Sequence, residues 1–321
     1  MVGVRLPLQG GLPPAAPLDG TVVEIACDES GFSGRNLLDA ATPIFTHASV
    51  DLSVEEAAGL IEVSRSGFRW PLHEFKSTQF LRGPRAGEAL EWFLDSLDGR
   101  AHVQVIDKEY FLVTRIVDLL LAEPSYAAGT RLTGDHRPAA LALYRAGRAA
   151  GPWWNGFLEA FVELAHAGKR PHDEGVLDRF FQARDSLAAL DLGADAGAVL
   201  NGLDHARVRG VLTRLADGDR SIPPPLEPML PALAETVLFW SGGDRQVLVV
   251  HDEQSALTAS RLRHLQEVLP ALAGLVSVDS RDDPRVQVAD LLAGIARRPP
   301  DHVDGLLRPF VSPTSLLDPG P

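Results

Sequence analysis

The sequence predicts an α/β protein interrupted by a large all-helical insertion. Three observations carry that expectation. Short β-rich apolar runs stop at acidic residues, amphipathic helical stretches lie between them, and from Pro124 to Pro225 the strand signals vanish.

Taken in order, Thr21–Cys27 (TVVEIAC) is apolar and β-rich and reads as a buried strand ending at Asp28. Thr42–Ala48 is a second strand. Ser53 then precedes an acidic first turn (Glu55, Glu56) and an apolar helical period through Ala57, Leu60 and Ile61, the pattern of a capped helix start. A second helix covers Arg85–Leu97, with Ala89, Leu90, Phe93 and Leu97 on one face. His102–Ile106 alternates as a strand does and ends at Asp107, and Phe111–Leu121 reads as an apolar helix. Beyond Pro124 the helical stretches Ala139–Ala150 and Phe157–Ala167 alternate with Gly and Pro breaks, up to Pro223-Pro224-Pro225. Strand character resumes at Gln246–Val250, followed by a helix (Thr258–Leu269), a short strand (Leu275–Val278) and a last helix from Pro284 to Arg297. The expected organisation is a flexible leader (1–20), a first part of the core (21–123), the helical insertion or cap (124–225), a second part of the core (226–298) and a Pro-rich tail (299–321).

The chain of 321 residues, 45% hydrophobic and 23% charged, has the balance of a globular protein long enough to bury a full core. No apolar run approaches the roughly 20 residues that span a bilayer; the longest candidate, Val268–Val278, is broken by Pro270 and Gly274. The start lacks a basic segment followed by an unbroken apolar block, so no signal peptide is expected. A single cysteine, Cys27, fits a reducing cytoplasm and a packing role. The net charge of −13 argues against broad, non-specific nucleic-acid binding. Acids and bases balance between Pro124 and Pro225, so the flanking segments carry the excess. An acidic core around a neutral insert is what a cation site would produce, and equally what a solvated acidic surface would produce.

Three constellations could carry chemistry. Asp28-Glu29-Ser30-Gly31 puts a carboxylate at the mouth of a strand, before a glycine that permits a tight turn. His73-Glu74-Phe75-Lys76 puts an acid and a base on one side of an extended segment, where Glu74 could bind metal and Lys76 meet a phosphate oxygen; an exposed ion pair is the plainer reading. Gln287-Val288-Ala289-Asp290-Leu291-Leu292-Ala293-Gly294 places Gln287, Asp290 and Gly294 along one side of a helix, amid apolar surface. A carboxylate in such surroundings needs a metal, a base or donors; an ion pair with Arg297 or Arg298 is the alternative. Asp28, Asp107 and Asp252 each follow a strand-like run, and the carboxyl ends of strands are where open α/β sheets bind ligands.

The ordered set of DESG at a first strand, EFK before a helix, Asp107-Lys108 and Asp252-Glu253 at later strand ends, and QVADLLAG in a C-terminal helix resembles the domain-of-unknown-function 3800 family. The resemblance leaves out the leader, the insert and the tail. It implies a ribonuclease-H-like mixed sheet flanked by helices. It also implies an acidic site for Mg²⁺ or Mn²⁺, with Asp28, Glu74 and Asp290 as metal ligands, joined by Asp107 and Asp252. The implied chemistry is two-metal phosphodiester hydrolysis of RNA or DNA, with the ions ~3.5–4 Å apart and Lys76 steadying transition-state charge.

Other chemistries find no motif. There is no phosphate-binding loop of the G-x-x-x-x-G-K-[ST] type, no H-E-x-x-H or paired-cysteine zinc pattern, and no G-x-S-x-G elbow. Within the insert, Trp153-Trp154 could stack bases, although neighbours cannot share a helix face, and Arg131, Arg137, Arg145 and Arg148 could form either a phosphate-facing stripe or a solvated face. Two further functions compete: a catalytically inactive ribonuclease-H-like binding module in a defence or mobile-element system, and hydrolysis of a small phosphorylated metabolite.

Overall fold

The structure is a computed structural model that describes residues 11–15, 18, 20–31, 37–68, 77–81, 85–132, 134–167, 174–297 and 304–318. In chain order the elements begin with β1 (Val22–Ser30), β2 (Ile44–Val50), α1 (Val54–Phe68), α2 (Ser77–Phe80), α3 (Ala86–Asp95) and β3 (Ala101–Asp107). Among the described residues only helices follow over the next stretch: α4 (Lys108–Leu120), α5 (Tyr126–Gly129), α6 (Arg137–Arg148), α7 (Pro152–Ala167), α8 (Glu174–Ala188), α9 (Ala194–Gly202), α10 (His205–Ala216) and α11 (Met229–Ser241). The chain then returns to β4 (Gln246–Asp252), α12 (Ala259–Val268), β5 (Leu272–Val278), α13 (Pro284–Ala296) and α14 (Asp304–Leu307). The fold is therefore α/β. Among the described residues no helix is long and apolar enough to cross a membrane.

The chain divides into two compact units. The first draws on residues 1–32, 44–105 and 229–315, and it contains the sheet, in the order β3-β2-β1-β4-β5. β1 pairs antiparallel with β2 and parallel with β4, which pairs parallel with β5, so the sheet is mixed. Ala26, Ala48, Val50 and Val250 on one sheet face pack with Ile61 of α1, Leu90 and Phe93 of α3, and Val288, Leu291 and Leu292 of α13. Each of the Val, Ile, Leu and Phe side chains, fully buried, contributes roughly 1.5–3 kcal/mol. α11 covers the opposite face, where Trp240 donates from Nε1 to Ser49 Oγ at 2.8 Å. The expected start of α1 is formed as a reciprocal cap: Ser53 N–H donates to Glu56 Oε2 at 2.7 Å, and Glu56 N–H donates to Ser53 Oγ at 3.2 Å.

Described residues in the leader and in the tail make backbone bonds to the sheet. Leu12, placed by sequence in a flexible leader, pairs antiparallel with Leu275 of β5 through backbone bonds of 2.8 and 2.9 Å. In the Pro-rich tail, Val311 pairs parallel with Val103, and Gln104 donates to Ser312 Oγ and Thr314 Oγ1.

The second unit draws on residues 33–43, 106–228 and 316–321, so its helices begin with α4, ahead of the expected insertion. Gly147 of α6 lets the buried Trp154 of α7 pack tightly, since a Cβ there would meet Trp154 Cε3 at 2.2 Å. Its neighbour Trp153 is exposed, as two adjacent positions on a helix require. Three of the four arginines of the expected stripe are engaged with acids and rings: Arg145 pairs with Asp318, Arg148 with Glu109 and the Tyr144 hydroxyl, and Arg137 lies over the Tyr110 ring.

Candidate functional site at the carboxyl end of the first strand

The first strand does not stop at Asp28. β1 runs on through Glu29 and Ser30, carried by pairing of Asp28, Glu29 and Ser30 with Ala48, His47 and Thr46 of β2. It ends at Gly31, whose φ of +91° and approach to β2 exclude a side chain: a Cβ would lie 2.2 Å from the Ile44 carbonyl oxygen. The period-two alternation of a strand then sorts the site into two faces. Asp28 shares the α13 face with Ala26 and Ala48. Cys27 and Glu29 share the α11 face with His47 and Ser49. In the parallel direction Cys27 is level with His251, so Asp252 follows at the level of Asp28.

α13 supplies the third aspartate. Thr46 Oγ1 of β2 donates to the Ala293 carbonyl at 2.8 Å, tying α13 to the sheet, and Gly294 gives room to α2, where a Cβ would lie 2.2 Å from Ser77 Oγ. Asp290, one turn earlier, is thereby brought to β1. The electrostatics of Asp28 register the result. Burial raises its pKa well above the usual carboxylate value, and Glu29, Asp290 and Asp252 push it further up, against the lowering effect of a 2.7 Å hydrogen bond from the Glu29 amide.

Glu29 is perturbed as well. Burial lifts its carboxyl to about 7 and Asp252 adds to the rise, although Gln254 donates to Oε1 and opposes it. Its second oxygen, Oε2, is buried without a hydrogen-bond partner. Asp252 is oriented from the other side by the Ser280 amide, which donates to Oδ1 at 2.9 Å. The Cys27 thiol, buried and beside Asp28, is pushed up and stays a packing group.

On the α11 face lies a buried row of polar groups. His47 Nδ1 is 2.9 Å from Thr236 Oγ1, and its Nε2 is 3.2 Å from His251 Nε2. His251 Nδ1 is 2.9 Å from the Asp252 carbonyl oxygen, and its Nε2 is 4.0 Å from Glu29 Oε2. Burial lowers the pKa of both rings, that of His251 to about 4, so both are neutral at pH 7.

Of the residues expected from sequence, Asp252 and Asp290 therefore lie near enough to Asp28 to raise its pKa. Glu74 and Lys76 lie outside the described residues. Asp107 belongs to the second unit, and both its oxygens are used there: Oδ1 caps α4 by accepting from the Tyr110 amide at 2.9 Å, and Oδ2 accepts from the Tyr144 hydroxyl at 2.9 Å. Sequence reasoning missed Glu29, Gln254, His47 and Thr236. Glu29 could have been found had the strand been extended by one alternation. His47, a lone histidine inside an apolar strand, gave no sign of its distant partner.

The oxygen-only donor set of Asp28, Glu29, Asp252 and Asp290 matches hard divalent cations, and the orphaned Oε2 of Glu29 is an acceptor that a cation would satisfy. Among the described residues no three His, Cys, Asp or Glu side chains are spaced to hold one ion as they stand. The acids thus act on one another through space without converging on a point.

No protein-family model, curated protein or solved structure matches the chain.

Proposed function

We propose that the chain is a divalent-metal-dependent phosphodiester hydrolase on a ribonuclease-H-like core, acting on RNA or DNA. The observation that carries this reading is the meeting of Asp28, Asp252 and Asp290, from β1, β4 and α13, with Glu29 beside them. The mixed sheet flanked by helices is compatible with the core that the sequence motifs imply. Asp28, Asp252, Asp290 and Glu29 would hold Mg²⁺ or Mn²⁺, with Glu74 as a further ligand. Such ions supply an activated water and stabilisation of the leaving oxygen. Asp252 is pre-oriented by the Ser280 amide. Glu29 Oε2, buried without a hydrogen-bond partner, is the oxygen offered to such an ion. Lys76 is the proposed partner of the developing negative charge.

Labelled single- and double-stranded substrates incubated with Mg²⁺ or Mn²⁺ test the proposal. Cleavage is expected for the wild type and its loss for Asp28→Asn and Asp290→Asn; cleavage at undiminished rate in those variants would overturn it. A second reading, a catalytically inactive binding module, is favoured by the acids' failure to converge on one point among the described residues. It requires that Mn²⁺ leave the melting temperature unchanged.

A further inference from the structure

We propose that His47 and Thr236 are positioning residues of the acidic site, holding the main chain of Asp252 through a hydrogen-bonded chain that runs Thr236, His47, His251, Asp252. With both fully buried rings neutral, the order of donors along that chain has one solution. The Asp252 carbonyl oxygen can only accept, so the proton facing it must sit on His251 Nδ1. A neutral imidazole with its proton on Nδ1 has a bare Nε2, and that bare nitrogen faces His47 Nε2 at 3.2 Å. The proton between the rings is therefore on His47 Nε2. His47 Nδ1 is then bare in turn and accepts from the Thr236 hydroxyl at 2.9 Å. Lowered pKa values support the neutral state of both rings.

The geometry also separates a hydrogen bond from a shared cation. The rings are nearly parallel, at 15°, with centroids 5.3 Å apart and the facing nitrogens only 3.2 Å apart. The nitrogens lie between the centroids and point at each other across β1, as a donor and an acceptor do. Two ligand lone pairs on one ion would converge on a third point instead. One consequence follows for the site. The segment fixed at the Asp252 carbonyl carries the Asp252 carboxylate and, two residues on, Gln254, which holds Glu29. Take away the Thr236 hydroxyl, and the buried His47 Nδ1 is left without its donor, while the Asp252 carbonyl still requires the proton on His251 Nδ1. The tautomers therefore stay, but the His47 ring, and with it His251 and the Asp252 main chain, is no longer held from the α11 side.

The experiment uses the full chain, with Thr236→Val to delete the donor and Thr236→Ser to keep it. Imidazole ¹⁵N spectra at pH 7 are expected to show His251 protonated at Nδ1 and His47 at Nε2 in the wild type and Thr236→Ser. In Thr236→Val both tautomers are kept, the His47 Nδ1 resonance moves to that of a nitrogen accepting no hydrogen bond, and the Ser280 amide, which reads the Asp252 carboxylate, loses hydrogen-exchange protection. Because the cation readout rests on the proposed function, it is kept separate: Mn²⁺ affinity falls about tenfold in Thr236→Val and recovers in Thr236→Ser. A wild type that binds no Mn²⁺ sinks the proposed function, while the spectra and the Ser280 amide still decide the positioning role. Finding His251 protonated at Nε2 in the wild type overturns the inference. So does a Thr236→Val protein with an unchanged His47 Nδ1 resonance and unchanged Ser280 protection, or Zn²⁺ binding that depends on His47.

Discussion

Thr46 on β2 and Ala293 on α13 are joined by a 2.8 Å hydrogen bond from Oγ1 to the carbonyl, across 247 positions of sequence. The bond is buried, and it sits one turn beyond Asp290 on the helix that must lie against β1 for the aspartates to meet. Thr46→Val keeps the shape and removes the donor. It should cost about 1 kcal/mol in urea unfolding, while Thr46→Ser stays near wild type. The two variants being equally stable would show that the bond does not hold α13 in place.

The mutual repulsion of the acids has a signature opposite to that of ordinary core damage. Asp28→Asn removes one buried charge from among Glu29, Asp252 and Asp290, and its amide oxygen can still accept from the Glu29 amide. The ion-free variant should melt above the wild type, and added Mn²⁺ should stabilise it less. A lower melting temperature without metal would contradict the electrostatic picture of the site.

Stability should pass through a maximum near pH 6.5 in chelator. Glu29 ionises at about 7 in the folded chain but near 4.5 when unfolded, and Asp28 is displaced in the same direction. These raised carboxyls stabilise at low pH, and the benefit is lost as pH rises through 7. His47, His251 and His102 are lowered from 6.5, so their contribution is full above 6.5 and fades as pH falls toward 4. The trends oppose each other below 6.5, and only the carboxyl trend acts above it. Thermal melts from pH 6.5 to 8 should therefore decline for the wild type and flatten for Glu29→Gln. A wild-type curve level across that interval would contradict the elevated carboxyl.

His102 on β3 is the weakest polar placement in the first unit. Both its ring nitrogens are buried without hydrogen-bond partners, under the face of Phe239 at 3.9 Å between centroids, and burial lowers its pKa to about 3. A buried unsatisfied donor costs about 1–3 kcal/mol. His102→Leu should accordingly raise unfolding free energy by about 1 kcal/mol, most visibly below pH 6.5, where the unfolded wild type takes up a proton at this ring. Destabilisation of the variant would reveal a polar role for the imidazole.

How much of this was legible in the sequence depends on the range over which each residue acts. The cap of α1 needs only Ser53 and Glu56, three positions apart, and it formed as read. Asp28, Asp252 and Asp290 were found because an acid directly after an apolar run, or inside one on a helix, is a local anomaly. The extension of β1 to Ser30 was not read, because Asp and Glu are poor strand formers and only pairing with β2 carries the strand past them. Glu29 was lost with it. Asp107 shows the limit of residue type as a signal, since a carboxylate at a strand end can equally cap the next helix, as it does for α4. His251 carried a local signal, since it adjoins Asp252 at a strand end and could relay a proton or support that ligand, whereas His47 had none, because its partner lies about two hundred positions away in the chain.

The backbone pairings of Leu12 with β5 and of Val311 with β3 fall on the two outermost strands of the sheet. An outer strand with free amides and carbonyls is a template on which other chains can add. Trimming the chain before position 310, or deleting residues 11–14, would unmask such a template at one rim or the other. The shortened proteins should assemble edge to edge into polymers, even with every acidic side chain of the site intact.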